Sequence, residues 1–131
     1  NVFSCISIVI TVCGFGLSVQ NEPVEAQLGW SPSPRTAQLM EIEELICHPR
    51  WEWDCEEARA VAYCESWLKP HIVRRNTNGT YDHGLFQINS VWQPAKPEVW
   101  SDILDPQTNV EVAHHIWLTG DRSWRFWVCQ P

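Results

Sequence analysis

Residues 60–89 leave this chain few options. Ala58, Val61, Ala62 and Glu65 recur at i, i+3, i+4 and i+7, the period of one helix face. That helix stops near Trp67 or Leu68, because Lys69 precedes Pro70 and is pushed out of the α region. A polar turn follows, Asn76-Thr77-Asn78-Gly79, and then Tyr81-Asp82-His83-Gly84-Leu85-Phe86-Gln87-Ile88-Asn89. Ile72-Val73 and Leu85-Phe86-Gln87-Ile88 read as short strands joined through that turn. A chain folding back in this way brings Glu65 and Asp82 face to face. Paired carboxylates across a cleft are what breaking a glycosidic bond requires.

Glu65 differs from the other acids. Glu56 and Glu57 fall in a helix's first turn, where the macrodipole favours negative charge. Glu41, Glu43, Glu44 and Glu111 read as solvated helix faces. Glu65 instead lies in a last turn, against the negative end of the dipole, and continues the apolar face between Ala62 and Trp67. Both effects disfavour the carboxylate and raise the pKa. A carboxyl protonated near neutral pH can hand a proton to a leaving sugar oxygen. The bland reading is a Glu bonded to Gln87 or to a backbone amide.

The rest of the chain reads as helical. Ser31-Pro32-Ser33-Pro34 makes residues 27–35 an extended lead-in. Leu39, Ile42 and Leu45/Ile46 mark a helix over residues 36–47, ended by Pro49. Asp54 with Glu57 forms a capping-box signature for the helix that carries Glu65. Pro94 and Pro97 predict a loop. Asp105-Pro106 opens a further helix with a face of Val110, Ala113, His114, Trp117 and Leu118, and Gly120 ends it.

Residues 2–19 are almost wholly apolar, and the first charge is Glu22. Val24-Glu25-Ala26 offers modest or small residues where a signal peptidase reads, so removal after Ala26 is expected. An uncleaved anchor is the competing reading, since about 18 apolar residues nearly span a bilayer. A buried core helix lacks the polar face it would need. Asn1, with neither Met nor a basic stretch before the apolar run, fits a truncated start. Of six cysteines, Cys5 and Cys13 lie in this segment; Cys47, Cys55, Cys64 and Cys129 remain, enough for two disulfides in an oxidising compartment. Cys55 and Cys64 share a helix about 13 Å apart, too far to bridge. Of the two pairings left, Cys47–Cys55 with Cys64–Cys129 is the expected one. No Cys-x-x-Cys occurs and the His residues are scattered, so neither a metal nor a cofactor is expected. A net charge of −7 gives no basic footprint for nucleic acid.

Residues 76–90, NTNGTYDHGLFQINS, resemble the c-type lysozyme segment that carries the second catalytic carboxylate, and the spacing from Glu65 to Asp82 is similar to that family's. Glu65-Ser66 followed by Gly84-Leu85-Phe86-Gln87 equally resembles the Glu-Ser and Gly-Leu-Met-Gln motifs of soluble lytic transglycosylases. Both belong to a lysozyme-like superfamily that cleaves the β-1,4 bond between N-acetylmuramic acid and N-acetylglucosamine. The likeness runs over residues 53–127. It implies a mostly α (α+β), lysozyme-like fold of three to four helices with a small β-hairpin region beside the cleft. It also implies Glu65 as general acid and then base, and Asp82 as nucleophile or stabiliser of the oxocarbenium-like centre. Gln87 and Asn89 would line sugar subsites, with Trp92 as a stacking face. Asp105-Pro106…Asn109…Ala113 looks like the transglycosylases' third helical motif, but their later Ala-Tyr-Asn is missing. Gly120-Asp121-Arg122-Ser123-Trp124 also interrupts the tighter Gly-Trp-Arg ending, which leaves the far wall of the cleft open.

Each of these residues has a plainer reading. Asp82 can cap a turn, Gly84 can serve a dihedral alone, and Trp92 can be core. His83 reads as a surface residue and Asn109 as a first-turn polar group. The expected protein is a monomeric, extracytoplasmic domain over residues 36–131 that acts on peptidoglycan strands as a lytic transglycosylase, tethered to a membrane if residues 1–26 are retained. A hydrolytic muramidase using Glu65 and Asp82 is the alternative. A non-catalytic wall-binding module and an inhibitor-like secreted domain are readings of other classes.

Overall fold

Ser33 sets the first helix. In the computed structural model, which describes residues 31–131, its hydroxyl accepts from the Thr36 amide at 3.1 Å and Pro34 occupies the first turn of α1 (Pro34–Ile46). The helix thus starts at Pro34, inside the stretch read as an extended lead-in. Residues 1–26 and the start of that lead-in lie outside the described residues. α1 buries Ile42 and Ile46. Its last carbonyls, which have no partner within the helix, are taken by two indoles: Trp51 donates to Leu45 at 2.7 Å and Trp53 to Ile46 at 2.8 Å. The Cys47–Cys55 disulfide fastens the same corner.

Asp54 caps α2 (Cys55–Ser66), accepting from the Glu56 and Glu57 amides. The expected capping box does not close. Glu57 instead accepts from the Trp124 indole at 3.1 Å, so its carboxylate ties α2 to the C-terminal tail. Ala58, Val61 and Ala62 are fully buried, as their spacing predicts. α2 ends where Trp67 and Leu68 adopt left-handed conformations, with Pro70 just beyond.

The β region is a three-stranded antiparallel sheet in the order β1 (Val73–Arg75), β2 (Tyr81–His83), β3 (Ile88–Asn89), not one hairpin. The second strand comes before the apolar run, and Leu85-Phe86-Gln87 forms a buried turn. Positive φ at Gly84 and Gln87 bends this segment inward, and pairing of extended backbone is lost there. Where the prolines predicted a loop, two short 3₁₀ helices run over Ser90–Ala95 and Pro97–Asp102.

Asp105 caps α3 (Pro106–Thr119), with Pro106 in the first turn and Gly120 at the C-cap. Leu118, expected on the apolar face, is 41% exposed; Asn109, Val112 and Ile116 are buried instead. α3 packs against α1, β3 and the Pro97–Asp102 segment, so its buried side is wider than one stripe and rotated away from Leu118. The tail buries Trp124 and Trp127 and is held by the Cys64–Cys129 disulfide. Among the described residues no helix is long and apolar enough to cross a membrane. Two disulfides fit an extracytoplasmic setting.

Candidate active site

The end of α2, the sheet, the 84–87 turn, Trp92 and the tail at Phe126-Trp127-Val128 enclose a groove of about 220 Å³. Its lining includes all five residues singled out in the sequence: Glu65, Asp82, Gln87, Asn89 and Trp92.

Glu65 comes from the last turn of α2. Its Oε1 accepts from the Cys129 amide at 3.1 Å, and Gln87 makes no bond to it. Burial raises its pKa above the ordinary glutamate range. The Cys129 amide opposes that rise, the Asp82 charge adds to it, and Arg74 and the Val128 amide oppose it. The direction agrees with the sequence reading, but the tail's part in it does not appear in the local sequence. Trp67 does not share the face with Glu65. It is 59% exposed, because its left-handed backbone turns the ring onto Tyr63 at 4.9 Å.

Asp82 faces the groove from β2. Its Oδ1 accepts from Asn89 at 2.7 Å and its Oδ2 from Asn76 at 2.9 Å, while Thr80 Oγ1 accepts from both amides. It is thus gripped by side-chain amides across the sheet and does not act as a turn cap. Asn89 lines the groove with its donor already engaged, and its Oδ1 accepts from the Val91 amide. Gln87 is 7% exposed and donates to Gly84 and Ile72 carbonyls; its buried Oε1 has no partner among the described residues. Trp92 is half-buried, edge-on to Phe126 at 5.4 Å. His83 is not a surface residue: it is half-buried, with Nδ1 3.1 Å from the Ile88 carbonyl and its ring edge-on to Trp100.

Asn109, read as a first-turn polar group, is fully buried. Its Oδ1 accepts from the Phe86 amide, and its Nδ2 donates to the His83 and Ile103 carbonyls, each at 2.9 Å. It therefore pins both ends of the turn that sets Gln87. The available signal was its position at i before Val112, Ala113 and Ile116, which places it on the buried stripe. Gly84, at φ +73°, lies so close that an added Cβ would overlap the Asn109 amide nitrogen and sit 2.8 Å from its Cγ. Gly84→Ala is expected to cost about 2–4 kcal/mol from backbone strain and overpacking together. Gly79, at φ +85° with nothing within 4 Å, isolates the strain. Gly79→Ala is expected to cost about 1 kcal/mol. Urea denaturation of both variants checks the difference; equal losses would mean that Asn109 yields.

The family described as a lysozyme-like domain has a model that matches residues 52–129, a span that holds every wall of the groove. No curated protein and no solved structure matches the chain.

Proposed function

Since the chain belongs to the family of lysozyme-like domains, a family of peptidoglycan-cleaving glycosidases, we propose that it cuts the β-1,4 bond between N-acetylmuramic acid and N-acetylglucosamine as a lytic transglycosylase. The observation that carries this reading is a half-buried glutamate with a raised pKa sharing one groove with a second carboxylate. Glu65, protonated, gives its proton to the glycosidic oxygen as the bond to the muramyl C1 breaks. Asp82, gripped by Asn76 and Asn89, offsets the positive charge that develops at that carbon. The muramyl C6 hydroxyl then attacks C1, its proton returns to Glu65, and a 1,6-anhydro ring forms. The Glu-Ser and Gly-Leu-Phe-Gln pair and the compact helical C-terminus favour this outcome. A hydrolytic muramidase is the second reading, supported by an Asp82 fixed through both oxygens. In that case water attacks in place of the C6 hydroxyl. Mass spectrometry of digested sacculi separates the two: 1,6-anhydro ends are expected, and reducing ends alone would overturn the transglycosylase reading. Release of nothing from the wall would favour a binding module. Under this proposal the protein acts as a monomer, and residues 1–26 export it. The mass of the exported chain tests the removal of that segment, and an N-terminus at Asn1 would exclude it.

The pH dependence follows from Glu65. The reaction needs its protonated form, so burial extends activity to higher pH than an ordinary glutamate would allow. Activity is expected to fall as pH rises through the raised pKa. Asp82→Asn removes a charge that raises this pKa, so the alkaline limb of residual activity should move to lower pH. A limb that stays in place in pH–rate profiles would show that another group sets it.

A further inference from the structure

Arg74 is a cation at the groove's edge that the groove's own acids leave unclaimed. Arg74 is the middle residue of β1, and Asn76 follows the strand's end. Arg74 lies directly opposite Asp82, and Asp82 directly opposite Asn89. Residues so paired share one face of a sheet. Of these four, Asn76, Asp82 and Asn89 line the groove. Arg74 stands beside them, exposed, and near enough for its charge to pull against the raised pKa of Glu65. Among the described residues it nevertheless has no ion-pair partner. Asp82, the acid across from it, has both oxygens engaged by the two asparagines, and Glu65 is held by the tail. Among the described residues the exposed guanidinium is therefore not tied to a protein carboxylate.

We infer that Arg74 receives a carboxylate of the bound strand and biases the groove toward acidic muramyl strands over neutral N-acetylglucosamine polymer. This rests on the glycan-cleaving reading above. A planar fork of donors suits a carboxylate in a way that the neutral hydroxyls and acetamides of an N-acetylglucosamine polymer cannot match. The chain's net charge of −7 repels an acidic polymer overall, so a local cation beside the scissile region bears directly on how such a strand seats. The carboxylate comes either from the lactyl arm of muramic acid or from a peptide attached to it. The chemistry at Arg74 is the same in both.

Binding is best read on Glu65→Gln, which holds a strand without cutting it. Its dissociation constants are measured for three probes: chitohexaose, muramyl strands stripped of peptide by an amidase, and strands that keep their peptides. Adding Arg74→Gln is expected to weaken binding of a carboxylate-bearing probe about tenfold more than that of chitohexaose, a difference that shrinks at high salt. Arg74→Lys, which keeps the charge without the fork, should lose only part of it. The probe that shows the larger loss identifies the source of the carboxylate. Equal weakening on all three probes, or none, would overturn the role of Arg74 and leave the glycosidase reading intact. Failure of Glu65→Gln to bind any of the three would count against glycan recognition itself, and this inference would fall with it.

Discussion

Glu65→Gln is expected to retain glycan binding and to lose roughly 10²–10⁴-fold or more in cleavage rate, because the only change is removal of a transferable proton. The amide keeps an acceptor for the Cys129 N–H, which donates to Glu65 Oε1 at 3.1 Å, so the tail stays in place. The substitution also carries a stability signature. Glu65 has a folded pKa above its unfolded value, so the native state binds its proton more tightly, and the ionised group destabilises the fold as pH rises through that window. Glu65→Gln should therefore be at least as stable as the wild type at neutral pH. That advantage should vanish below the ordinary glutamate range, where both states are protonated. Turnover of soluble muramyl strands and thermal melts at two pH values test both halves. Undiminished cleavage would remove Glu65 from the chemistry. A variant that is less stable at neutral pH would make it a structural residue.

Loss of the Cys64–Cys129 disulfide has the largest expected effect on stability. It closes a loop with a sequence separation of 65, against 8 for Cys47–Cys55. Loop-closure entropy assigns the long bridge about 4 kcal/mol and the short one about 2.5 kcal/mol. The first is a large part of the 5–15 kcal/mol typical of a domain and corresponds to a fall in Tm of roughly 15–30 °C. Cys64→Ala with Cys129→Ala is expected to melt that much lower than the wild type, and well below Cys47→Ala with Cys55→Ala. The long bridge also holds the Cys129 and Val128 amides that bring the Glu65 pKa down. Calorimetry of the two double variants decides the matter. Equal losses of stability would mean that strain or residual unfolded structure, not loop length, sets the contribution.

Local signals in the sequence went far with the helices. Asp54 and the Ala58-Val61-Ala62 spacing announced α2, and Lys69-Pro70 announced its end, because caps, periodicity and proline act within a few residues. The same held for Asp105-Pro106 and Gly120 around α3. Of the 85–88 run only Ile88 is strand, for a nonlocal reason: Asn109 captures the Phe86 amide from 23 positions along the chain and holds a turn that an apolar run does not advertise. The groove's chemistry divides in the same way. Glu65 stood out because a helix end and an apolar face are local features. Its contact with Cys129, at a separation of 64, is set by tertiary folding. Asn89 was legible as groove lining, but its engagement by Asp82 and Val91 depends on strand register. Glu57 looked like the second half of a capping box until the tail brought Trp124 to it.

Burial raises the Glu65 pKa, and the Asp82 charge in the same groove adds to the rise. A ¹³C NMR titration of the Glu65 side-chain carboxyl measures it directly. A midpoint above the ordinary glutamate value of 4.5 is expected, moving down in Asp82→Asn. A midpoint at or below 4.5, indifferent to Asp82, would contradict the account.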